Sequence, residues 1–579
     1  MIVEDLKKAI AKTLKEIGIE NPKVELEHPA ELSHGDYSTN VALAYAKELK
    51  LKPRELAERV VEKLKVESLK FLEKIEIAGP GFINFYLTKE FFAEEVAGIG
   101  EKYGKNEHLS GKKVMVEYTD PNPFKEFHIG HLMSNAIGES IARIAEFESA
   151  KVVRACWQGD VGLHVAKAVW GMQKKVQSLK LKVDSLKAED WGKAYAEGAG
   201  AYETDAKAKQ GINTLNKVIF DKSDAEVNAL YDAGRKVSLE HFEEIYKVLD
   251  TKFDHYFFEG IEGRDGVKVV EVGLKNGVFE KSDGAIVYKG EKVGLHTRVF
   301  INSQGLPTYE AKELGLNQAK LRVEPDLDTS IIITANEQSD YFKVVLSAMS
   351  EVLPEVAKRT KHIAHGMLRF ASGKMSSRKG NVITGEGLIA QVEELVQEKI
   401  KDRDMSEEEK KELAEVVAVG AIKYSILRQA IGGDIIFDFE KSISFEGDSG
   451  PYLQYSYVRA KSVLKKGQEV LGDVYVVGEG GERRIQHLEH IQQLPLIPLE
   501  RLLVRFPEVV ERAGTEYEPH FVTTYLTELA GVFNSWYANG KIVDKTDPAS
   551  PYKLALTKAF ANIMKNGLWL LGIKVPEKM

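Results

Sequence analysis

The stretch VEYTDPNPFKEFHIGHLMSNAIGE, residues 116–139, decides how the rest of the chain is read. It begins inside an apolar run, residues 113–118, that reads as a buried strand. Pro121 and Pro123 then break the chain into a loop. From about His128 the apolar residues recur at helical spacing as far as Phe147. SAKVVRACWQGD, residues 149–160, is a second strand ending in a Gly-Asp turn. Strand, loop, helix, strand is a βαβ unit, and it implies a parallel sheet.

Working outward, residues 1–65 read as helical, and KIEIAGPGFINFYL at 74–87 reads as two strands around a Pro-Gly break. Together they predict a small α/β domain ending near residue 105. Residues 165–255 are helical and rich in Lys and Glu, an insertion between the two halves of the sheet. Short strands are expected over 267–310. DTSIIITANEQ (328–338) is another buried parallel strand, with a helix after it to about Leu353. KHIAHGMLRF (361–370) reads as one more strand, and the basic loop ASGKMSSRKGN (371–381) follows it. From about residue 386 the pattern is helical, with a polar gap near 472–486.

Composition sets limits. The 579 residues make about two to four domains by ordinary domain size. A net charge of −8 opposes indiscriminate nucleic-acid binding and leaves room for a local basic patch. The lone cysteine, Cys156, excludes an internal disulfide and a cysteine-rich zinc site, and suits a reducing cytosol. No apolar run reaches the roughly twenty residues of a membrane span.

A nucleotide-binding sheet must hold phosphate. No Gly-Lys is followed by Ser or Thr, so the P-loop is absent, and no G-x-G-x-x-G follows a predicted strand. The alternative is a helix N-terminus ringed by donors. FHIGH offers that: His128 and His131 share one helix face, and Gly130 lets a flat ring or a phosphate reach the backbone. A zinc reading lacks the H-E-x-x-H spacing and an evident third ligand.

HIGH and KMSSRKG, in this order, resemble the two signatures of class I aminoacyl-tRNA synthetases. The segment 116–139, GDYSTNVALAYAKEL, GPGFINFYL, GPYLQYSYVRAKSV (450–463) and the closing LLGIKVPEKM are similar to the arginyl-tRNA synthetases. The resemblance implies an α/β protein with a parallel, Rossmann-like nucleotide-binding sheet and a helical insertion. A small α/β N-terminal domain and an all-α C-terminal anticodon-binding domain complete it. The expected boundaries are 1–105 for a domain touching the tRNA elbow and 106–385 for the catalytic domain, with its insertion at about 165–300. A helical connecting region at 386–449 and the anticodon-binding domain at 450–579 follow. The implied activity is an arginine–tRNA ligase reaction in the cytoplasm. ATP with Mg²⁺, arginine and tRNA are its substrates, with no zinc, no tightly bound cofactor and no membrane. A monomer is expected, and the first step generally needs tRNA bound.

The resemblance also implies roles. His128 and His131 would donate to the phosphates, and Gly130 would let adenine stack on the backbone. Glu337 would accept from a ribose hydroxyl. A guanidinium calls for a carboxylate and tolerates an aromatic face. Tyr309 and Glu313, four apart on one helix face, match the family's pair, with Glu313 where Asp is usual. Glu117, Asn122 and Gln338 match positions near the rest of the amino acid, and Asp120 replaces a common Ser. Asn84, Tyr452, Tyr455, Arg459, Tyr537 and the terminal Met579 match tRNA-side positions. Against the signature K-M-S-K-S, the fourth place holds Ser377 in place of Lys. Lys125, three residues before His128, would then supply the charge at the α-phosphate. The loop would clamp the pyrophosphate side through Lys374, Ser376 and Lys379.

Overall fold

Five strands pair in parallel: β1 (Lys113–Glu117), β2 (Lys151–Gln158), β3 (His255–Phe258), β4 (Thr329–Ala335) and β5 (Thr360–His365). The computed structural model describes residues 2–64, 69–179, 186–371, 384–472, 475–477, 483–485 and 494–579. The basic loop therefore lies outside the described residues, and with it Lys374, Ser376 and Lys379. In space the strands run β5-β4-β1-β2-β3. β1 is buried along its whole length, as a strand covered on both faces must be. Its sequence successor β2 lies on one side and β4 on the other, so the strand order reverses there. In open α/β sheets that reversal leaves a crevice at the carboxyl ends, where ligands bind.

Helix α1 (Ile129–Phe147) packs on this sheet, and sixteen of its residues are buried. Among the described residues, four helices lie between β2 and β3: Leu163–Leu179, Ala188–Thr204, Ala206–Asp221 and Ala225–Val248. Their core takes in Phe124 from the loop after β1, whose ring meets Trp191 and Tyr231. Phe124, Thr119 and Asp120 all have positive φ, at 69°, 78° and 47°. The insertion thus holds a strained loop in place, and such strain concentrates at functional sites.

Between β3 and β4 lie α2 (Glu259–Lys275), a three-stranded antiparallel sheet over 280–301 and α3 (Tyr309–Val323). Residues 267–275 are thus helix where strands were expected. The valines there look strand-like, but Gly263, Gly266, Val270 and Gly273 form a helical stripe buried on one side. A Cβ on Gly266 would stand 1.9 Å from the Ala311 carbonyl oxygen, and one on Gly315 2.0 Å from that of Glu262. The backbones of α2 and α3 therefore touch, which only glycine permits.

The expected strand 361–370 breaks at Gly366, where a Cβ would meet the Gly433 carbonyl oxygen at 2.1 Å. β5 stays in the parallel sheet, and Leu368–Phe370 pairs instead with Ile435–Phe437. Residues 1–65 are less helical than their pattern: Tyr37–Thr39 is a strand paired with Phe82–Leu87. The buried Asp36 carboxylate turns the chain there by accepting from the Leu87 amide at 2.8 Å. In the polar gap near 472–486, Tyr475–Val477 pairs antiparallel with Arg483–Ile485.

Contacts divide the chain into two units. One is 1–103 with 459–507 and 528–564; the other is 104–458 with 508–527 and 565–579. The first unit joins the N-terminal α/β part to C-terminal helices through a buried Glu500, which accepts from Lys89 at 2.5 Å and from the Tyr552 hydroxyl. The second holds the parallel sheet and helix α4 (Glu407–Leu427). Among the described residues no helix is long and apolar enough to cross a membrane.

Candidate active site

The N-terminus of α1 is closed by its own histidines. The Gly130 amide donates to His128 Nδ1 at 3.1 Å, and the His128 amide donates to His131 Nδ1 at 3.3 Å. The two rings stack with centroids 3.5 Å apart. Burial and then Lys125 lower the pKa of His128; burial and then His128 push that of His131 well down. Both rings are thus neutral, with Nδ1 used as acceptor, so each carries its hydrogen on Nε2. Two N–H donors are left for a ligand at the helix start.

A cluster of buried charge lies at the carboxyl end of β1. Glu117 pairs with Lys320 of α3 at 2.7 Å, and both are essentially inaccessible. Asp120 accepts from the Trp157 amide at 2.7 Å. Burial and then the Glu117 charge drive its pKa well up, with Glu313 adding to the effect. Glu313, also buried, is raised to about 8 by burial and then Glu117, against the pull of Lys320. Three carboxyls thus share one lysine, and burial together with that crowding raises the pKa of two of them.

The carboxyl ends of β2 and β3 add more groups. The buried Glu259 pairs with Lys312 at 2.5 Å. Asp160 is held by Tyr231 at 2.9 Å, Arg235 at 3.0 Å and the Gly260 amide at 2.8 Å. His164 lies 2.7 Å from the Gly159 carbonyl oxygen and is pushed down to about 3 by burial and then Lys125. A Cβ on Gly159 would lie 2.1 Å from Asn122 Oδ1. Lys125 is half-buried, with Nζ 5.1 Å over the Tyr195 ring. Burial and then Lys167 lower its pKa, with Glu259 opposing.

The structure brings Glu117 and Glu313 together with Asp120, and His128, His131 and Lys125 with one another. Tyr309 is exposed, with Lys312 Nζ 5.0 Å over its ring, and Glu337 and Gln338 are exposed in the turn after β4. The flank of the basic loop is described: Thr384 bridges to His128, and the Gly385 amide donates to the Phe127 carbonyl at 2.6 Å. Thr384 and Gly385 therefore lie beside the histidine pair. Arg459 donates to Asn534 at 2.6 Å and lies 5.1 Å over the Tyr537 ring. Tyr452, Tyr455 and Met579 are partly exposed. Asn84 is buried, its Oδ1 accepting from Ser38 at 2.8 Å.

The model of tRNA synthetases class I (R), catalytic domain, matches residues 96–439. That of the arginyl tRNA synthetase N terminal domain matches 4–87, and the DALR anticodon binding domain matches 453–579. The arginine–tRNA ligase of Clostridium perfringens is 30% identical, over 99% of this chain and 100% of its own. The chain belongs to the class I arginyl-tRNA synthetases. A second arginine–tRNA ligase, from Clostridium kluyveri, is 31% identical over 99% of this chain and 100% of that one. The fold is similar to that of the Thermus thermophilus arginyl-tRNA synthetase, with a TM-score of 0.79, 24% identity and all of both chains covered.

Sequence reasoning missed Lys320, Lys312 and Glu259 in this synthetase. α3 carries polar residues on every face with no apolar stripe, a pattern normally read as exposed. Yet Glu310, Lys312, Glu313, Asn317 and Lys320 are all buried. The available signal was that apolar and charged residues are mixed around the whole helix, leaving no purely polar side to face solvent. Among the described residues no group of three or more His, Cys, Asp or Glu side chains is arranged to hold a metal ion.

Proposed function

We propose that the cleft at the carboxyl ends of β1, β2, β3 and β4 activates arginine and passes it to tRNA. An arginine carboxylate oxygen attacks the α-phosphorus of Mg²⁺-bound ATP, and the bond to pyrophosphate breaks. A ribose hydroxyl at the tRNA 3′ end then attacks the adenylate carbonyl carbon, and AMP departs. The observation that carries this reading is the excess of carboxyls, the buried Glu117 and Glu313 and the partly exposed Asp120, over Lys320. A ligand bearing a guanidinium and an ammonium brings the missing positive charge into a site where desolvation makes each pair strong. Glu313 takes the guanidinium with Tyr309 folding over it. Glu117, Asn122 and Gln338 face the other end.

His128 and His131 donate through Nε2 to phosphate oxygens, Gly130 admits adenine to the backbone, and Glu337 meets the ribose. Lys125 stabilises the charge that builds at the α-phosphate. Lys374, Ser376 and Lys379 clamp the pyrophosphate; the tie between Thr384 and His128 supports a loop within reach. Tyr452, Tyr455, Arg459, Tyr537, Met579 and Asn84 serve tRNA, aromatic rings and Arg suiting unstacked bases. The residues assigned to activation all belong to one chain, so a monomer suffices. The buried free thiol of Cys156 suits a reducing cytoplasm.

ATP–pyrophosphate exchange, run with each amino acid and with or without tRNA, tests the reading. Arginine alone should support exchange, and preference for lysine or citrulline would overturn the pocket assignment. Lys125→Ala should slow adenylate formation by roughly 10²–10³-fold, the cost of one preorganised stabiliser, with ATP affinity little changed. A wild-type exchange rate in that variant would remove Lys125 from the mechanism.

A further inference from the structure

The opposite edge of the same sheet holds a cavity of about 240 Å³ that the reaction does not use. It lies where β1 and β4 begin and where α1 ends. Its lining from α1 runs from Ile141 to Glu148, so at 1.5 Å per residue it stands about 15–25 Å along the helix from His131. Val114, Ile141, Ile144 and Ala513 give it apolar walls, and Lys112 and Asp328, paired at 3.0 Å, lie at its margin.

One group in it is out of keeping. Glu148 is fully buried, and neither of its carboxylate oxygens meets a donor at hydrogen-bond geometry. Asn106 and His108, on the loop around the end of α1, are near enough to favour its charged form, and Glu511 disfavours it. Burial dominates and pushes the carboxyl up to about 7. Glu148 is also the C-cap of α1, where the helix dipole is negative and a carboxylate is least welcome. Its carboxylate rests against bare backbone: a Cβ on Gly514 would stand 2.0 Å from Oε2. The adjoining wall carries a second anomaly. Tyr517 ends the helix Phe506–Glu516 with φ at 58°, the Glu518 amide donating to the Ala513 carbonyl at 3.0 Å. That position ordinarily takes glycine, and tyrosine there costs about 1–2 kcal/mol. Tyr517 nonetheless sits there and lines the cavity.

We propose that this cavity is a second small-molecule site, for an organic cation with a compact apolar body, such as a primary amine or amidine, its charged head on Glu148. An apolar pocket with one unpaired buried carboxylate asks for one positive donor and otherwise for hydrocarbon. At ~20–30 Å³ per non-hydrogen atom the volume admits roughly ten such atoms. The site stands apart from the cleft and does not depend on the roles assigned there.

Calorimetric titration of the full chain with benzylamine, in saturating arginine so that the cleft is filled, tests this. Benzylamine should bind with one-to-one stoichiometry, and the isosteric hydrocarbon ethylbenzene should bind at least tenfold more weakly. Glu148→Gln, which keeps the shape and removes the charge, should weaken benzylamine at least tenfold, and Glu313→Gln should leave it unchanged. Ala513→Leu fills the cavity from another wall and should abolish binding while the protein melts as a single transition. No binding at 10 mM, loss of binding when arginine is added, or equal affinity in Glu148→Gln would overturn the proposal. So would a crystal structure from benzylamine-soaked crystals in which only water meets Glu148.

Discussion

Glu313 makes the affinity for arginine depend on pH in a direction the structure dictates. Its carboxyl, raised to about 8 by burial and the neighbouring Glu117, is mostly protonated in the free protein at neutral pH. A guanidinium needs the ionised form, so binding must first remove the proton. With that pKa the ionised fraction is about one-tenth at pH 7 and about three-quarters at pH 8.5. Arginine should therefore bind about eightfold more tightly at pH 8.5 than at pH 7, a gain of about 1.2 kcal/mol. Most free arginine still carries its ammonium proton at pH 8.5. Calorimetry in two buffers of different ionisation enthalpy should also show close to one proton released per arginine at pH 7. The other carboxyl and lysine groups facing Glu313 are Glu117, Asp120, Glu259 and Lys320, and Glu117 is paired with Lys320 at 2.7 Å. Glu313→Gln should flatten the profile, and at pH 8.5 weaken arginine by the ~1.5–3 kcal/mol of a hydrogen bond to a charged group. A flat wild-type profile, or an unchanged slope in Glu313→Gln, would refute the placement of the guanidinium on this residue.

Further outcomes follow from other contacts. Lys423 of α4, fully buried, donates to the carbonyls of Leu249 at 2.6 Å and Gly572 at 2.8 Å, and burial holds its pKa down at about 7. The unfolded chain then binds more protons than the native one above pH 7. Stability should rise by about 2 kcal/mol from pH 7 to 9 on this account, and Lys423→Met should lose that share of the rise in urea denaturation. Gly315→Ala places a Cβ 2.0 Å from the Glu262 carbonyl oxygen. It should cost at least ~1–3 kcal/mol as overpacking, seen as a lower thermal midpoint; an unchanged midpoint would contradict the touching backbones of α2 and α3. Tyr537→Ala removes an exposed ring from beside Arg459. If that ring stacks a base, tRNA affinity in filter binding should fall by the ~1–3 kcal/mol of one stacking contact.

Much of the fold was legible because it is written in local patterns. The apolar run to Tyr118, the proline break and the helical spacing from His128 each report on a few neighbouring residues, and all three appear where expected. Expectations failed where a distant backbone overruled the local pattern. Residues 267–275 are helical because their glycines press on α3, and 361–370 divides because Gly366 meets Gly433. The same contrast holds in the cleft. His128, His131, Glu117 and Glu313 were named from spacing and resemblance, and Lys320 and Lys312 were not, because burial of a polar helix leaves no periodicity to read.

The amino-acid sequence by itself determined the parallel sheet, the helix that starts at the histidine pair and the family to which the chain belongs. These depend on side-chain period, turn residues and order along the chain. The tertiary structure alone decided the charge states: neutral histidines with hydrogen on Nε2, three carboxyls around Lys320, and Glu148 buried without a hydrogen-bond partner. The reason is physical. A pKa is set by desolvation and by charges brought close from elsewhere in the chain, and neither exists until the chain has folded.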